Sequence, residues 1–191
     1  MTKNIIKPNW RKNAEQILNN HPDKTKILDT LFAVLGQIER NDWKGACHAT
    51  CSVIHVLLSE QGIQSNLVLG EAKKGEAFFN HSWIEISNEV YDVAIAHSLV
   101  PQYSTPPTIK GHDIDTTQLT TVKYGVNSGL PDDMPTIMVK QLSLSSYFAN
   151  FPGHPTLGLW VAVLDAAHQL GLKLDIKQLQ SKYNTTYWTE K

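Results

Sequence analysis

Residues 78–96 read FFNHSWIEISNEVYDVAIA, and this stretch decides the fold. Apolar and polar side chains alternate through residues 78–86 and again through residues 89–96, which is the pattern of two strands that each bury one face. Ser87-Asn88 separates the two runs and predicts a tight turn, because both residue types favour turns. The stretch therefore predicts an antiparallel hairpin.

The length of the turn decides which side chains share a face of this hairpin. With two turn residues, Trp83 lies opposite Asp92, so His81 and Asp92 become diagonal neighbours with Cα atoms roughly 7–8 Å apart. A four-residue loop keeps them on one face, whereas a three-residue loop separates them. The hairpin thus predicts a histidine oriented by a carboxylate, as a general base requires.

The chain before the hairpin is predicted to be helical. Apolar periodicity predicts helices over residues 9–21, 24–40 and 47–61, with Gly62 ending the third. The third helix is apolar nearly all round, which is typical of a central, buried helix. Cys47 opens it, and there the helix dipole and the free backbone N–H groups favour a thiolate. The same N–H groups can stabilise an oxyanion on an attacked acyl group.

The rest of the chain gives weaker signals, and the overall prediction is an α+β fold in one domain, residues 1–191. Its core spans about residues 24–142, and a C-terminal helical extension spans about 150–191. Further predicted elements are a strand at 65–70, a loop after Gly70, irregular structure over 97–135 with a short strand at 118–124, a strand at 136–142, a helix over 157–170 capped by Thr156, and a helix from the cap Asp175 to about 183.

Composition narrows the classes of function. The net charge is −1, with 41% hydrophobic and 18% charged residues, so the chain is globular and carries no basic surplus for nucleic acid. No apolar run approaches the ~20 residues that cross a bilayer, and residues 1–13 lack the apolar core of a signal peptide. We expect a cytoplasmic protein that binds neither nucleic acid nor membrane.

An ordered set of short motifs resembles the transglutaminase-like superfamily. That family has a Gly-x-Cys start to a helix, a Gly-Ile pair after the helix, a strand often ending in Gly, a His-x-Trp-x-Glu strand, and an aspartate on the next strand. The corresponding residues here are Gly45-Ala46-Cys47, Gly62-Ile63, Leu67-Val68-Leu69-Gly70, His81-Ser82-Trp83-Ile84-Glu85 and Tyr91-Asp92-Val93. The resemblance covers about residues 43–96, and the ordered set is more specific than any single motif.

The resemblance implies a papain-like core, in which the helix bearing the cysteine packs on an antiparallel sheet bearing the histidine and the aspartate. Extra helices lie at both ends of this core. Carried over residue by residue, the catalytic triad has Cys47 as thiol nucleophile, His81 as general base and acid, and Asp92 as the orienting carboxylate. The family usually has another oxyanion donor ahead of the cysteine, for which Asn41 and Trp43 are candidates.

The reaction implied by the resemblance is cysteine-dependent acyl transfer through a thioester. Hydrolysis of an amide or peptide by a peptidase or amidase is the first expectation, with a peptide, protein or amide as substrate. The alternatives are a transglutaminase, deamidase or acyltransferase acting on a protein or small amine, and an inactive peptide-binding module on the same fold. No organic cofactor or metal is expected, and no acidic loop typical of calcium sites is present.

Several residues also have ordinary interpretations. Trp83 is a candidate for substrate contact, although a core position is commoner, and Cys51 is expected in the core. Cys47, Cys51 and His55 share a helix face but span about 12 Å, too far for one zinc ion to bind all three. A zinc site built from two of them and ligands elsewhere in the chain is an alternative. Five histidines without a partner pattern are expected to be ordinary residues: His48, His97, His112, His154 and His168.

Overall fold

The computed structural model describes residues 6–191. Residues 1–5, part of the segment expected to lack a signal peptide, lie outside the described residues. The helices are α1 (Trp10–Ile17), α2 (Lys24–Asn41), α3 (Cys47–Glu60), α4 (Met134–Gln141), α5 (Leu144–Asn150), α6 (Trp160–Gln169) and α7 (Ile176–Lys182). The strands are β1 (Asn66–Lys74), β2 (Ala77–Ile86), β3 (Glu89–Tyr91), β4 (Thr108–Ile109), β5 (His112–Asp113), β6 (Lys123–Val126) and β7 (Thr189–Glu190).

One mixed sheet organises the strands, and the α+β class predicted from the sequence is confirmed. Its strands follow the order β3-β2-β1-β6, all paired antiparallel, and β7 adds to β1 in parallel. Strands β4 and β5 form a separate two-stranded sheet. The final strand therefore returns the C-terminal part of the chain to the sheet that carries His81.

The hairpin between β2 and β3 has the two-residue turn expected from its sequence. Ile84 pairs with Tyr91 and Ile86 with Glu89, which leaves Ser87-Asn88 as the turn. Both turn residues have positive φ, 52° and 65°, as a type I′ turn requires. This turn twists the strands in the same sense as the sheet, so the register is fixed by local geometry.

The extent of several strands differs from the prediction. The segment after Gly70 is not a loop, because β1 continues to Lys74 and turns at Gly75, where φ is 59°. Strand β3 is shorter than predicted and ends at Tyr91. Beyond it the backbone of Asp92 pairs with Thr108 instead of continuing the hairpin.

The region after residue 130 is more helical than predicted. Residues 136–142 fall mostly in α4 and are not a strand, because the Asp133 side chain caps the helix through the Thr136 N–H and a proline lies in the first turn. Helix α5, capped by Ser143, was not predicted. Helix α6 starts at Trp160 without a cap from Thr156. The predicted cap Asp175 is confirmed, since it accepts from the Gln178 N–H.

Helix α3 lies at the centre of the core. Its residues from Cys47 to Ile54 are all buried, and it packs against β1 and β2 on one side and α2 and α6 on the other. Trp160 of α6 is fully buried and meets Phe148 of α5 edge-on, with ring centroids 4.5 Å apart. The C-terminal helices therefore share one apolar core with α3.

Trp160→Ala should lower the free energy of unfolding by about 3–5 kcal/mol, because it leaves a cavity in that shared core. Val161→Ala, at a half-exposed neighbouring position, is the control and should cost less than about 1 kcal/mol. Urea denaturation followed by circular dichroism measures both. Equal losses of unfolding free energy in the two variants would contradict the single core. A separate unfolding transition for the C-terminal helices would contradict it as well.

Candidate active site

Cys47 is held at the start of α3 by a short loop with a required glycine. Gly45 has φ of 63°, and a Cβ there would clash with the Leu99 side chain. The Gly45 N–H donates to the His97 carbonyl at 2.8 Å, which ties this loop to the segment after β3. The glycine of the Gly-x-Cys motif is thus explained by backbone conformation and by close packing.

His81 and Asp92 form a buried hydrogen bond. His81 Nε2 donates to Asp92 Oδ2 at 2.7 Å, and both side chains are almost wholly buried. Burial by itself lowers the pKa of His81, but Asp92 and then Cys47 outweigh it and raise this pKa to about 10. His81 is therefore an imidazolium at neutral pH. Because Nε2 is bonded to Asp92, Nδ1 remains available to interact with the Cys47 thiol.

Two histidine side chains place positive charge next to the thiol of Cys47. Burial tends to raise its pKa, but His48 and His81 next to it outweigh burial and hold the pKa well below its usual range. A thiolate is the nucleophilic form of cysteine. The site can therefore hold a thiolate–imidazolium pair at neutral pH.

Asp92 is held by residues from a part of the chain that the sequence left unassigned. Its backbone N–H donates to the Thr108 carbonyl at 2.8 Å, and the Thr108 N–H donates back at the same distance. The Tyr124 hydroxyl donates to Asp92 Oδ2 at 2.9 Å, and the Ile95 N–H donates to Oδ1 at 3.2 Å. Residues 97–135 thus have a structural role, because they orient the carboxylate that orients His81.

Thr108 and Tyr124 hold the candidate site residue Asp92, and sequence reasoning missed both. Each lies in a strand of two or four residues, too short for periodicity to detect. Their partner Asp92 is 16 and 32 residues away in sequence, and only the tertiary structure brings them together. A threonine and a tyrosine in an irregular region carry no local signal of this role.

A pocket of about 390 Å³ opens onto the thiol. Cys47, His48 and His81 form its floor, and its walls come from β2, residues 94–103 and the start of α4. Phe79 and Tyr103 stack in one wall, with ring centroids 5.7 Å apart and planes 9° from parallel. The pocket is therefore mainly apolar around a charged floor.

The three other candidate residues do not face this pocket. Trp83 is fully buried and donates from Nε1 to Glu85 at 3.0 Å, so it offers no surface to substrate. Asn41 and Trp43 line a different cavity, between the end of α2 and α6, and do not line the Cys47 pocket. A role for Asn41 or Trp43 as an oxyanion donor therefore stays a prediction, and the lining of the Cys47 pocket gives it no support.

His48 is a second residue of the pocket that the sequence did not indicate. It was expected to be an ordinary histidine, but it is 8% exposed and lies beside Cys47. Cys51 is a core residue, as expected, and its thiol donates to the Ser82 carbonyl at 3.1 Å. Within residues 6–191, no three His, Cys, Asp or Glu side chains are grouped to bind a metal.

Comparison with known proteins finds one family that part of the chain resembles. The family model of the transglutaminase-like superfamily matches residues 11–103, just under half of the chain. Over these residues the chain is similar to that superfamily. Cysteine-based acyl transfer or hydrolysis is the general chemistry of this superfamily. No curated protein and no solved structure matches the chain.

The transglutaminase-like match includes Cys47, His81 and Asp92 but ends before several residues of the site. Thr108 and Tyr124, which hold Asp92, lie beyond it, as does Thr136 beside His48. The later part of the chain therefore completes the pocket that the matched part begins. None of the described helices is long and apolar enough to span a membrane.

Asp92→Asn should slow alkylation of Cys47 by iodoacetamide at pH 6 by tenfold or more. Loss of the carboxylate charge lowers the pKa of His81, so the thiolate loses its cation and its own pKa rises. Asp29→Asn, at a half-exposed carboxylate of α2, is the matched control and should leave the rate unchanged.

Intact mass measures the alkylation rates from pH 6 to pH 9. The difference in alkylation rate between Asp92→Asn and the wild type should shrink towards pH 9, where an unactivated thiol also ionises. A deficit of the same size at every pH would indicate altered access to Cys47 and would contradict the electrostatic explanation.

Proposed function

We propose that this protein is a cysteine hydrolase that cleaves an amide or peptide bond through a thioester on Cys47. The observation that carries the proposal is the His81–Asp92 hydrogen bond of 2.7 Å beside a cysteine that opens a buried helix. Nucleophile, base and orienting carboxylate in this order are the arrangement that acyl transfer needs.

Acylation begins with attack of the Cys47 thiolate on the substrate carbonyl carbon. The sulfur–carbon bond forms while the carbonyl π electrons move to oxygen, giving a tetrahedral oxyanion. When the carbonyl re-forms, the carbon–nitrogen bond breaks and His81 gives its Nδ1 proton to the departing amine. Asp92 holds the ring through Nε2 during both steps, so His81 does not rotate away from the sulfur.

The first turn of α3 supplies the oxyanion donors in this proposal. The residue before the helix is Ala46, whose side chain cannot cap it, so the first N–H groups receive no side-chain acceptor from that position. Their positive dipole end faces the place where the carbonyl oxygen must lie when its carbon meets Cys47. Preorganised donors of this kind typically contribute factors of about 10²–10³ to turnover.

Deacylation returns the enzyme to its starting state. Neutral His81 takes a proton from water, the resulting hydroxide oxygen attacks the thioester carbon, and the carbon–sulfur bond breaks. The products are a carboxylic acid and the Cys47 thiolate, paired again with imidazolium. Water is the simplest acceptor, and an amine entering the same pocket would instead yield a new amide.

The pocket supports an apolar residue on the acyl side of the scissile bond. Phe79 and Tyr103 provide a stacked aromatic wall, and Ile95 and Leu99 extend the apolar lining. No lysine or arginine lines it within the described chain, both imidazoles of its floor already face Cys47, and Asp133 adds a negative charge, so an acidic side chain is disfavoured. Peptides with an aromatic or branched aliphatic acyl residue are the favoured substrates.

Alkylation with iodoacetamide at pH 6 tests whether the nucleophile is activated. The wild type should take up one label rapidly, because an ordinary thiol with pKa near 8.5 is almost wholly protonated there. Cys47→Ala should abolish this label, His81→Ala should slow it, and Cys51→Ala should retain it. Slow labelling of Cys47 in the folded wild type would overturn the proposal and favour a peptide-binding module.

A peptide library with apolar and acidic acyl residues tests the reaction itself. The wild type should generate new amino termini after aromatic or branched residues, detected by mass spectrometry, and Cys47→Ala should generate none. Adding a biotinylated alkylamine shows whether the acyl group is transferred to water or to an amine. Amine incorporation without new termini would replace hydrolysis by transglutamination or acyl transfer.

A further inference from the structure

His48 is the one polar side chain on the pocket floor without a role in the triad chemistry. It follows Cys47 directly in α3 and is 8% exposed. Its Nδ1 lies 2.7 Å from the Ser82 hydroxyl oxygen, and its Nε2 lies 3.5 Å from the Thr136 hydroxyl oxygen. Two elements, β2 and α4, therefore fix the orientation of this ring from opposite sides.

The charges around the thiol show why a second imidazole matters. A thiolate on Cys47 and a carboxylate on Asp92 both face His81, so one imidazolium is shared by two anions. Burying an anion without its own counter-charge is costly, and a protonated His48 gives the Cys47 thiolate a second cation beside His81. The charged or titratable groups that face His48 are Cys47 on α3, His81 on β2 and Asp133 at the start of α4.

We propose that His48 is a second catalytic imidazolium, whose positive charge stabilises the Cys47 thiolate and, without a hydrogen bond to it, the oxyanion formed by attack on the substrate. The proposal rests on the proposed function, since it assigns a role within the same acyl-transfer reaction. Both hydroxyl partners can accept hydrogen bonds, so a doubly protonated His48 is satisfied at Ser82 and near Thr136.

The direction of the His48 pKa agrees with this assignment. Burial by itself lowers the pKa, but Cys47 beside the ring reverses this effect and the net pKa is raised. During attack the negative charge moves from sulfur to the carbonyl oxygen, while His48 keeps its proton. His81 then gives its proton to the leaving amine, and His48 preserves one positive charge at the site.

The same geometry permits a purely structural role, in which His48 only joins β2 to α4. The two roles differ in what a neutral substitute does. His48→Gln keeps a polar side chain of similar reach but carries no charge at any pH. A structural role predicts lower stability with an unchanged pH profile of the thiol, whereas the catalytic role predicts a shifted profile.

The first experiment measures the pH profile of iodoacetamide alkylation at Cys47, by intact mass, in the wild type and His48→Gln. The midpoint should move to higher pH by about one unit, since an opposite charge within ~4–6 Å lowers a thiol pKa by about this amount or more. At pH 6 this is about a tenfold slower rate. His168→Gln, at an exposed position of α6, is the control and should show no shift.

The second experiment does not depend on a His48 variant that folds. Nuclear magnetic resonance of ¹⁵N-histidine-labelled protein follows the His48 ring through pH in the wild type and in Cys47→Ala. Removal of the thiolate should lower the His48 pKa by about a unit, because its nearest anion is gone. Equal pKa values for His48 in the two proteins would overturn the inference.

Failure of this inference is distinguishable from failure of the proposed function. A wild-type thiol with an ordinary midpoint near pH 8.5 would overturn both. A low wild-type midpoint that is unchanged in His48→Gln would overturn only the role of His48. A low midpoint that rises in His48→Gln supports both.

Discussion

The hydrogen bond from His81 to Asp92 is the constraint on which the rest of the structure depends. Both groups lie in the interior, where a charge without a partner is costly, so each must be satisfied on every side. Asp92 therefore also accepts from the Tyr124 hydroxyl and the Ile95 N–H. The long irregular region after β3 brings both donors to Asp92, so it contributes to the candidate site despite its low content of regular structure.

A second constraint, the burial of α3, joins the C-terminal helices to the core. Helix α3 carries Cys47 and is apolar on nearly every side, so one sheet face cannot cover it. Helices α2 and α6 cover the remainder, and Trp160 and Phe148 continue this core into α5. The division into a core over 24–142 and an extension over 150–191 follows sequence patterns, but the packing joins both parts around one helix.

The sequence predicted the elements that are determined by interactions between residues close together in the chain. The hairpin register followed from Ser87-Asn88, and helices α2 and α3 followed from apolar periodicity and Gly62. Prediction failed at residues 136–142, whose β-branched side chains favour a strand, because two local signals of a helix start were missed, the Asp133 cap and the proline in the first turn. Prediction also failed where long-range contacts decide. The residues of the site divide in the same way, since Cys47, His81 and Asp92 lie in readable motifs, whereas Tyr124 reaches Asp92 only through the tertiary fold.

The charged groups on the pocket floor interact strongly because the floor is enclosed. Cys47, His48 and His81 are each less than one-tenth exposed, so little water screens the charges among them. Such a site works only if its charges balance before substrate enters, because every uncompensated charge would otherwise be neutralised by a proton. An apolar acyl residue against Phe79 and Tyr103 would exclude further water at the moment of attack. In the proposed mechanism, the aromatic wall and the two imidazoles therefore act together, and they keep the Cys47 thiolate charged in a place where water cannot solvate it.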